Sequence, residues 1–279
     1  QAGTVRSGSN TTLTNSSGAF FNDSASSSIS NPFGGNFTFT NNGTYNKTAA
    51  GTTTIAIPFT NNNGAIVVSA GTLHFTSTFT QTAGTVAVTN GSTIQFDNGL
   101  DLASGTFTGN GTLVGNVTNQ GQLSPGESPG QLNITGNLTL ASTSDLLIEL
   151  GGDSQGVTYD FLSVSGTGAI DGNLTLAFVN GFESAISPAA TFTTLTATSL
   201  SGAFLNAQIT GQRLFTTDGF GSFLVNYGAG SAFAANNLVL SNFVAVPEPS
   251  TWVLMITGAL LVAIKLRKSR KPGSREKVR

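Results

Sequence analysis

The sequence predicts an all-β fold: a right-handed parallel β-helix, which is a solenoid with rungs of about 20 residues, closed by a C-terminal cap and followed by a single transmembrane helix. Three observations lead to this prediction. Glycine and phenylalanine each recur at an interval of 20 residues in the first half of the chain. Short β-branched or aromatic segments alternate with Gly and Asn turns, without a helical period before residue 247. The chain then ends in an apolar run and a basic tail.

The repeat consists of three columns of residues. The glycines are Gly51, Gly71, Gly91 and Gly111, and the phenylalanines are Phe39, Phe59 and Phe79. A third column, two residues after a glycine in each case, contains Tyr45, Ile66, Val86 and Phe107. Rungs of a parallel β-helix lie about 4.8 Å apart, so residues one period apart should stack in the interior. Each period then holds three short strands, although such strands also fit an antiparallel sandwich.

The residues between the strands predict the corners of the rungs. Glycines at a fixed phase are expected where a corner needs a positive φ. A matching turn holds asparagines, which suit left-handed backbone and side-chain ladders; they are Asn41, Asn42, Asn61 and Asn62. The phase slips by one residue between the pair Leu73 and Phe75 and the pair Ile94 and Phe96, which a small bulge or a wider corner would explain.

We divide the chain into three parts. Residues 1–128 carry the regular β-helix rungs, and residues 129–246 continue them with a fading period. The Phe-rich, irregular stretch from 202 to 230 predicts a cap, because a solenoid must protect its open edge. Residues 247–279 form a C-terminal tail of different composition.

The tail contains three segments. The triplet Pro247, Glu248 and Pro249 comes first, and an apolar run over 250–266 follows it. This run has 17 residues, whereas about 20 usually span a bilayer, so a buried core helix is the alternative. The basic cluster behind it favours a membrane helix with a cytoplasmic C-terminus; its members are Lys265, Arg267, Lys268, Arg270 and Lys271.

The order of these segments resembles the PEP-CTERM sorting signal of Gram-negative bacteria. The phrases SPGESPG at 124–130 and YDFLSVSG at 159–166 are also similar to phrases in the β-helical passenger regions of autotransporter-type and PEP-CTERM surface proteins. The resemblance implies that an exosortase, a membrane peptidase, recognises the tail. It further implies export across the inner membrane, a transient stay of the C-terminal helix there, and release to the cell surface. Because this topology exports the N-terminus, we expect a signal peptide ahead of Gln1.

Composition excludes two classes of site. Up to residue 246 the chain has three basic and eleven acidic residues, a net charge of −8 (3 − 11). Such a segment has no basic stripe with which to bind nucleic acid. The chain has no cysteine, so disulfides and thiolate metal sites are excluded.

A catalytic site is not expected, although a polysaccharide hydrolase or lyase on a β-helix scaffold is the alternative. A glycosidase needs two carboxylates that face one groove. The candidates are Asp97, Asp101 and Glu127, which we interpret as solvated turn residues. A lyase-like site would need an acidic cluster beside a base, and both Lys47 and Arg213 are far from any such cluster in the sequence.

No metal or cofactor is expected. His74 alternates with Leu73 and Phe75, so it should point outward, where a lone histidine has no further ligands. Three aspartates lie in Gly-rich turns and could bind calcium weakly, but without a regular calcium repeat we interpret them as turn formers; they are Asp153, Asp160 and Asp171. The residues and the resemblance together favour a non-enzymatic, exported protein that functions in adhesion or in association with exopolysaccharide in a biofilm.

Overall fold

The computed structural model describes residues 3–246 and 249–269. The chain divides into two compact units, Gln1–Val244 and Ala245–Arg279. The first unit contains all of the described β-strands except the last residue of the final strand, and the second contains the described helix.

The first unit is built from three sets of parallel strands, one strand of each set to a rung. The first set belongs to one sheet and comprises β1 (Val5–Arg6), β4 (Ser28–Ser30), β7 (Thr52–Ile55), β9 (Thr72–Phe75), β11 (Thr93–Phe96), β14 (Thr112–Val114), β17 (Gln131–Thr135), β20 (Phe161–Val164) and β23 (Phe192–Thr196).

The other two sets share a second sheet. One comprises β2 (Thr11–Asn15), β5 (Phe37–Asn41), β8 (Phe59–Val68), β10 (Phe79–Val88), β12 (Leu100–Leu102), β15 (Val117–Asn119), β18 (Leu138–Leu140), β21 (Thr167–Ile170) and β24 (Ser199–Gly202). The other comprises β3 (Phe20–Asp23), β6 (Thr44–Lys47), β13 (Thr106–Gly109), β16 (Gln122–Pro125), β19 (Asp145–Leu150) and β22 (Asn173–Phe178). The long strands β8 and β10 pass through the bend and belong to both sets. This arrangement is compatible with a parallel β-helix, whereas its right-handed sense stays a prediction.

The predicted interior columns are confirmed. Phe59 pairs in register with both Phe39 and Phe79. The ring centroids are 4.6 Å apart for Phe39 and Phe59 and 5.9 Å apart for Phe59 and Phe79. The third column is also in register, from Tyr45 through Ile66 and Val86 to Phe107. Inward and outward residues alternate along each strand, so the apolar positions of every rung fall in one continuous core.

The glycine corners are explained more by close packing than by backbone conformation. Gly71 and Gly91 have a positive φ, as predicted, but Gly51 and Gly111 do not, so the prediction is wrong for these two. A Cβ at Gly111 would lie only 2.5 Å from Val88 Cγ1. At Gly84 both reasons apply, because φ is +85° and a Cβ would lie 2.0 Å from the carbonyl oxygen of Gly64 on the preceding rung.

The slip in phase is a wider corner. Leu73 pairs with Ile94 and Phe75 pairs with Phe96, so the strands themselves stay in register. The connection after β10 covers residues 89–92, one residue more than the connection at 69–71 after β8. Ser92 closes this wider turn by donating its N–H to the carbonyl of Thr89 at 3.0 Å.

The predicted asparagine ladder is present, with a correction. Asn41 and Asn61 lie in strands with fully buried side chains, and among the non-glycine residues of this turn the positive φ belongs to Asn63. Asn41 Nδ2 donates to Asn61 Oδ1 at 2.9 Å, and Asn15 Nδ2 donates to Asn41 Oδ1 at 2.7 Å. Amides can form such a chain because each one carries both donors and an acceptor.

The stacked parallel rungs continue beyond the region where the sequence period fades. Leu138 pairs with Val117 and with Gly168, so these rungs are 21 and 30 residues long. The extra length lies in loops, chiefly 151–160 between β19 and β20 and 179–191 between β22 and β23. The loops lengthen the period without disturbing the register of the strands.

The C-terminal end of the first unit is covered by antiparallel strands: β25 (Gln212–Phe215), β26 (Gly221–Asn226) and β27 (Asn237–Ala245). β27 pairs with β23 in antiparallel orientation and ends the parallel stack. Phe223 and Phe243 are buried here with a centroid distance of 5.1 Å. A short 3-10 helix, Phe182–Ser184, adds Phe182 to the same aromatic cluster.

The second unit contains one described helix, α1 (Pro249–Ser269). Proline is accepted at the first helical position because that residue needs no N–H partner. Among the described residues, no helix combines the length and the apolar character that crossing a bilayer requires. The predicted transmembrane helix over 250–266 is therefore not confirmed.

Candidate binding surfaces

The outward face of the second sheet carries a row of threonines. Strand alternation turns every second residue away from the core, and parallel register places equivalent residues beside each other on successive rungs. The row consists of the paired residues Thr14, Thr40, Thr60 and Thr80. Asp101 occupies the same row beside Thr80, because Gln81 and Leu102, the residues that follow these two in the chain, are paired. The row then continues in register with Thr118 and Thr139.

The first sheet carries a similar row. Its members pair from one rung to the next and are exposed or half-buried: Thr52, Thr72, Thr93, Thr112 and Asn133. A neighbouring row, two residues further along each strand, contains Thr54, His74 and Gln95. Each threonine hydroxyl can donate one hydrogen bond and accept others. Both sheets therefore present hydroxyl groups that repeat at the spacing of the rungs.

The outer side of the asparagine corner forms a third polar row. Asn62 Nδ2 donates to Asn42 Oδ1 at 2.8 Å, and Thr82 Oγ1 donates to Asn62 Oδ1 at 2.9 Å. These side chains lie on the solvent side of the buried ladder, which confirms the predicted pairing of Asn42 with Asn62.

His74 points outward, as predicted, but it has a partner that the sequence analysis did not identify. Its Nε2 lies 2.7 Å from Asp97 Oδ1, and the two side chains are 22 % and 43 % exposed. The hydrogen bond from His74 holds the pKa of Asp97 below its usual value. The missed signal was the register itself, since the paired Phe75 and Phe96 immediately precede the corner that carries Asp97.

The three candidate carboxylates have different locations and different partners. Asp97 follows β11 of the first sheet and contacts His74, whereas Asp101 lies in β12 of the second sheet and accepts from Gln120 Nε2 at 2.9 Å. Glu127 is exposed in the loop after β16. Asp97 thus lies in the turn that connects the two sheets and Asp101 lies in the second sheet, and all three acids face solvent.

The three aspartates of the Gly-rich turns also differ from one another. Asp153 is exposed, and Asp171 accepts a hydrogen bond from the N–H of the adjacent Gly172 at 2.8 Å, as a turn former does. Within the described residues, no three His, Cys, Asp or Glu side chains form a group that could hold a metal ion.

Asp160 is not a surface turn residue, so its interpretation as a simple turn former is wrong. It is 0 % exposed and its two carboxylate oxygens accept backbone N–H groups, from Gly130 at 2.9 Å and from Glu149 at 2.8 Å. Burial raises the pKa of Asp160 to about 7, although these two hydrogen bonds lower it. The carboxyl group therefore links the YDFL segment to the SPGESPG loop, which are the two phrases singled out in the sequence.

The residues of the tail are described only in part. Pro247, Glu248, Arg270 and Lys271 lie outside the described residues. Pro249 begins the helix, and Lys265, Arg267 and Lys268 fall in its last turns.

No protein-family model matches this chain, and neither a curated protein nor a solved structure matches it.

Proposed function

We propose that this chain is an exported, non-enzymatic protein of the bacterial cell surface or extracellular matrix, which adheres to or associates with exopolysaccharide. The observation that supports this best is the set of outward rows of hydroxyl and amide groups on both sheets. A polysaccharide presents hydroxyl groups repeatedly, and these rows offer donors and acceptors at a repeating distance of about 4.8 Å. Each contact is weak, but many contacts along one polymer add avidity.

We also propose that the tail is a sorting signal for an exosortase. The order of the Pro-Glu-Pro triplet, the apolar helix and the basic cluster supports this proposal. The helix then acts as a transient signal at the inner membrane, and its apolar segment, shorter than a usual span, need not anchor the protein permanently. The proposed solenoid coils to the right, which is the hand that parallel crossover connections nearly always adopt.

Co-sedimentation with polysaccharide isolated from the producing cells tests the surface proposal. Two triple variants each remove three central hydroxyls from one row and keep the side-chain shape: Thr40→Val, Thr60→Val and Thr80→Val for the second sheet, and Thr72→Val, Thr93→Val and Thr112→Val for the first. The matched controls replace the same threonines with serine, which retains the hydroxyl. At least one valine variant should lose co-sedimentation while its serine control keeps it. Unchanged binding in both valine variants would contradict the proposal.

The mass of the protein isolated from cells tests the sorting proposal. With an active exosortase the mature protein should lack the residues that follow the Pro-Glu-Pro region, and without the enzyme it should retain them. Recovery of a chain that ends at Arg279 in both strains would contradict this part of the proposal and leave the surface proposal intact.

A further inference from the structure

A polar pocket lies where the regular rungs meet the 151–160 loop. Its volume is about 300 Å³, and five residues line it: Asn90, Asn110, Gln131, Asn133 and Gly156. Asn90 and Asn110 precede the corner glycines Gly91 and Gly111, one rung apart. Gln131 and Asn133 lie on β17, and Gly156 belongs to the 151–160 loop. Four amide side chains from three rungs therefore surround one space.

Most hydrogen-bonding groups of these amides have no protein partner. Gln131 Nε2 donates to Asn133 Oδ1 at 2.8 Å, which is the one hydrogen bond that the described residues form with these four side chains. Asn110 Oδ1 is buried and accepts no hydrogen bond from any described residue. A buried polar group without a partner costs free energy and needs an explanation, and bound water, an ion or a ligand would each supply the missing partner.

The position of the pocket is held by the surrounding loops. A Cβ at Gly156 would lie 3.0 Å from Gln131 Oε1, and a Cβ at Gly130 would lie 3.1 Å from Asn110 Cβ, so both loops pack tightly against lining residues. Gly130 is in turn held by the buried carboxylate of Asp160. The pocket is therefore a built feature of the fold.

We propose that this pocket binds a neutral sugar unit of a polysaccharide. None of the five lining residues is charged, so the pocket offers neither a counter-ion for an anionic ligand nor a carboxylate for a metal cation. Nor is any of them apolar, which disfavours lipid or hydrophobic peptide. Amides carry donors and an acceptor together, which matches the hydroxyls of an uncharged sugar. A space of this size is at the small end of ligand sites and suits one or two sugar rings.

The pocket also lies at the end of the threonine row of the first sheet. Asn133 pairs in register with Thr112, which pairs with Thr93 and so with Thr72. A polysaccharide that follows this row would place one unit at the amides. This inference rests on the proposed association with polysaccharide and adds a specific site and a preference for neutral sugars.

Saturation-transfer difference NMR on the full chain tests the inference. The probes are the methyl glycosides of glucose, galactose, mannose and N-acetylglucosamine, together with maltotriose, and glucuronic acid is the charged comparison. At least one neutral probe should give transfer signals and glucuronic acid none. Asn133→Ala and Asn90→Ala should each weaken binding of that probe by about tenfold, the loss expected for one or two hydrogen bonds.

The matched control is Asn46→Ala, which removes a surface amide that is bonded to Asn22 on the second sheet, and it should leave binding unchanged. Three results would overturn the inference: no signal from any neutral probe, equal binding by both pocket variants and the wild type, or preferential binding of glucuronic acid. A row variant that no longer co-sediments with polysaccharide but still binds the small probe would show that the rows and the pocket bind independently.

Discussion

Asn41 and Asn61 lie on neighbouring rungs and are fully buried, and Asn41 Nδ2 donates a hydrogen bond to Asn61 Oδ1 at 2.9 Å. Asn61 donates in turn to the carbonyl of Gly64 at 3.1 Å, which satisfies a backbone group at the bend of β8. The next rung replaces asparagine with Gln81, which is also buried and lies 3.4 Å from Asn61. The bend of the second sheet is therefore stabilised by a polar chain inside an otherwise apolar core.

Truncation of this ladder should destabilise the protein. Asn61→Ala removes one acceptor of the Asn41 amide, which retains its bond to the carbonyl of Ala65, and it removes the side-chain donor to the carbonyl of Gly64. The loss of these buried hydrogen bonds should cost about 1–3 kcal/mol. Asn62→Ala is the matched control, because Asn62 is the adjacent residue, is exposed and bonds only to the outer row. Urea denaturation should show a clear loss of stability for the first variant and a change below about 1 kcal/mol for the second. Equal effects would contradict a role for the buried ladder.

The aromatic column should be the most sensitive part of the core. Phe59 is 1 % exposed and its ring contacts those of Phe39, Phe75 and Phe79. Phe59→Ala should reduce the free energy of unfolding by about 3–5 kcal/mol, because it leaves a cavity between packed rings. Phe20→Ala, at a residue that is 69 % exposed, should change it by less than about 0.5 kcal/mol. Thermal and urea unfolding of both variants measure the difference, and a small effect at Phe59 would argue against a tightly packed column.

Stability should fall as the pH rises from about 4 to about 7. Burial raises the pKa of Asp160 from its ordinary value of 3.8 to about 7, so between these pH values the folded state retains a proton that the unfolded state has lost. The stabilisation from this group is full below the unfolded pKa and disappears as the pH rises through the folded pKa. A shift of this size corresponds to at most roughly 4 kcal/mol.

The variant Asp160→Asn isolates this contribution, because it removes the titration and keeps the shape of the side chain. Its urea midpoint should vary less with pH between 4 and 7 than that of the wild type. Asp153→Asn is the control, since Asp153 is exposed in the same loop and should leave the wild-type slope unchanged. A wild-type slope that persists in Asp160→Asn would assign the pH dependence to other groups.

The full chain should show no polysaccharide hydrolase or lyase activity. Asp97, in the turn after β11, contacts His74 and Gln95, whereas Asp101 in β12 accepts from Gln120, so each exposed carboxylate is bonded to its own neighbours. Hydrolysis of a glycosidic bond instead needs two carboxyl groups that face each other about 5–10 Å apart in one groove. Release of reducing ends or unsaturated products from a polysaccharide panel is the measurement. Turnover that disappears in Asp97→Asn or Asp101→Asn would contradict the prediction and identify an enzyme.

The regular part of the fold was predictable from the sequence, because residues one repeat apart in the chain lie directly beside each other on neighbouring rungs. Phe39, Phe59 and Phe79 recur at a constant interval, and in parallel register a constant interval means direct contact. The same reasoning predicted the outward direction of His74. It did not predict its hydrogen bond with Asp97, which depends on which corner side chain turns toward the neighbouring rung.

The tertiary structure decided the features that depend on loops. Rungs of 21 and 30 residues stay in register because backbone hydrogen bonds align their strands and the loops contain the additional residues. A search of the sequence for a constant period therefore does not detect these rungs. In the sequence Asp160 resembles any aspartate in a Gly-rich turn, whereas in the fold it is buried and accepts a hydrogen bond from the N–H of Gly130. The amide pocket likewise combines residues from three rungs and one loop, which no local pattern connects. The repeat and its strands could be predicted from the sequence alone, because they follow from local alternation and spacing. The long loops and the groups that they bury were decided only by packing in three dimensions.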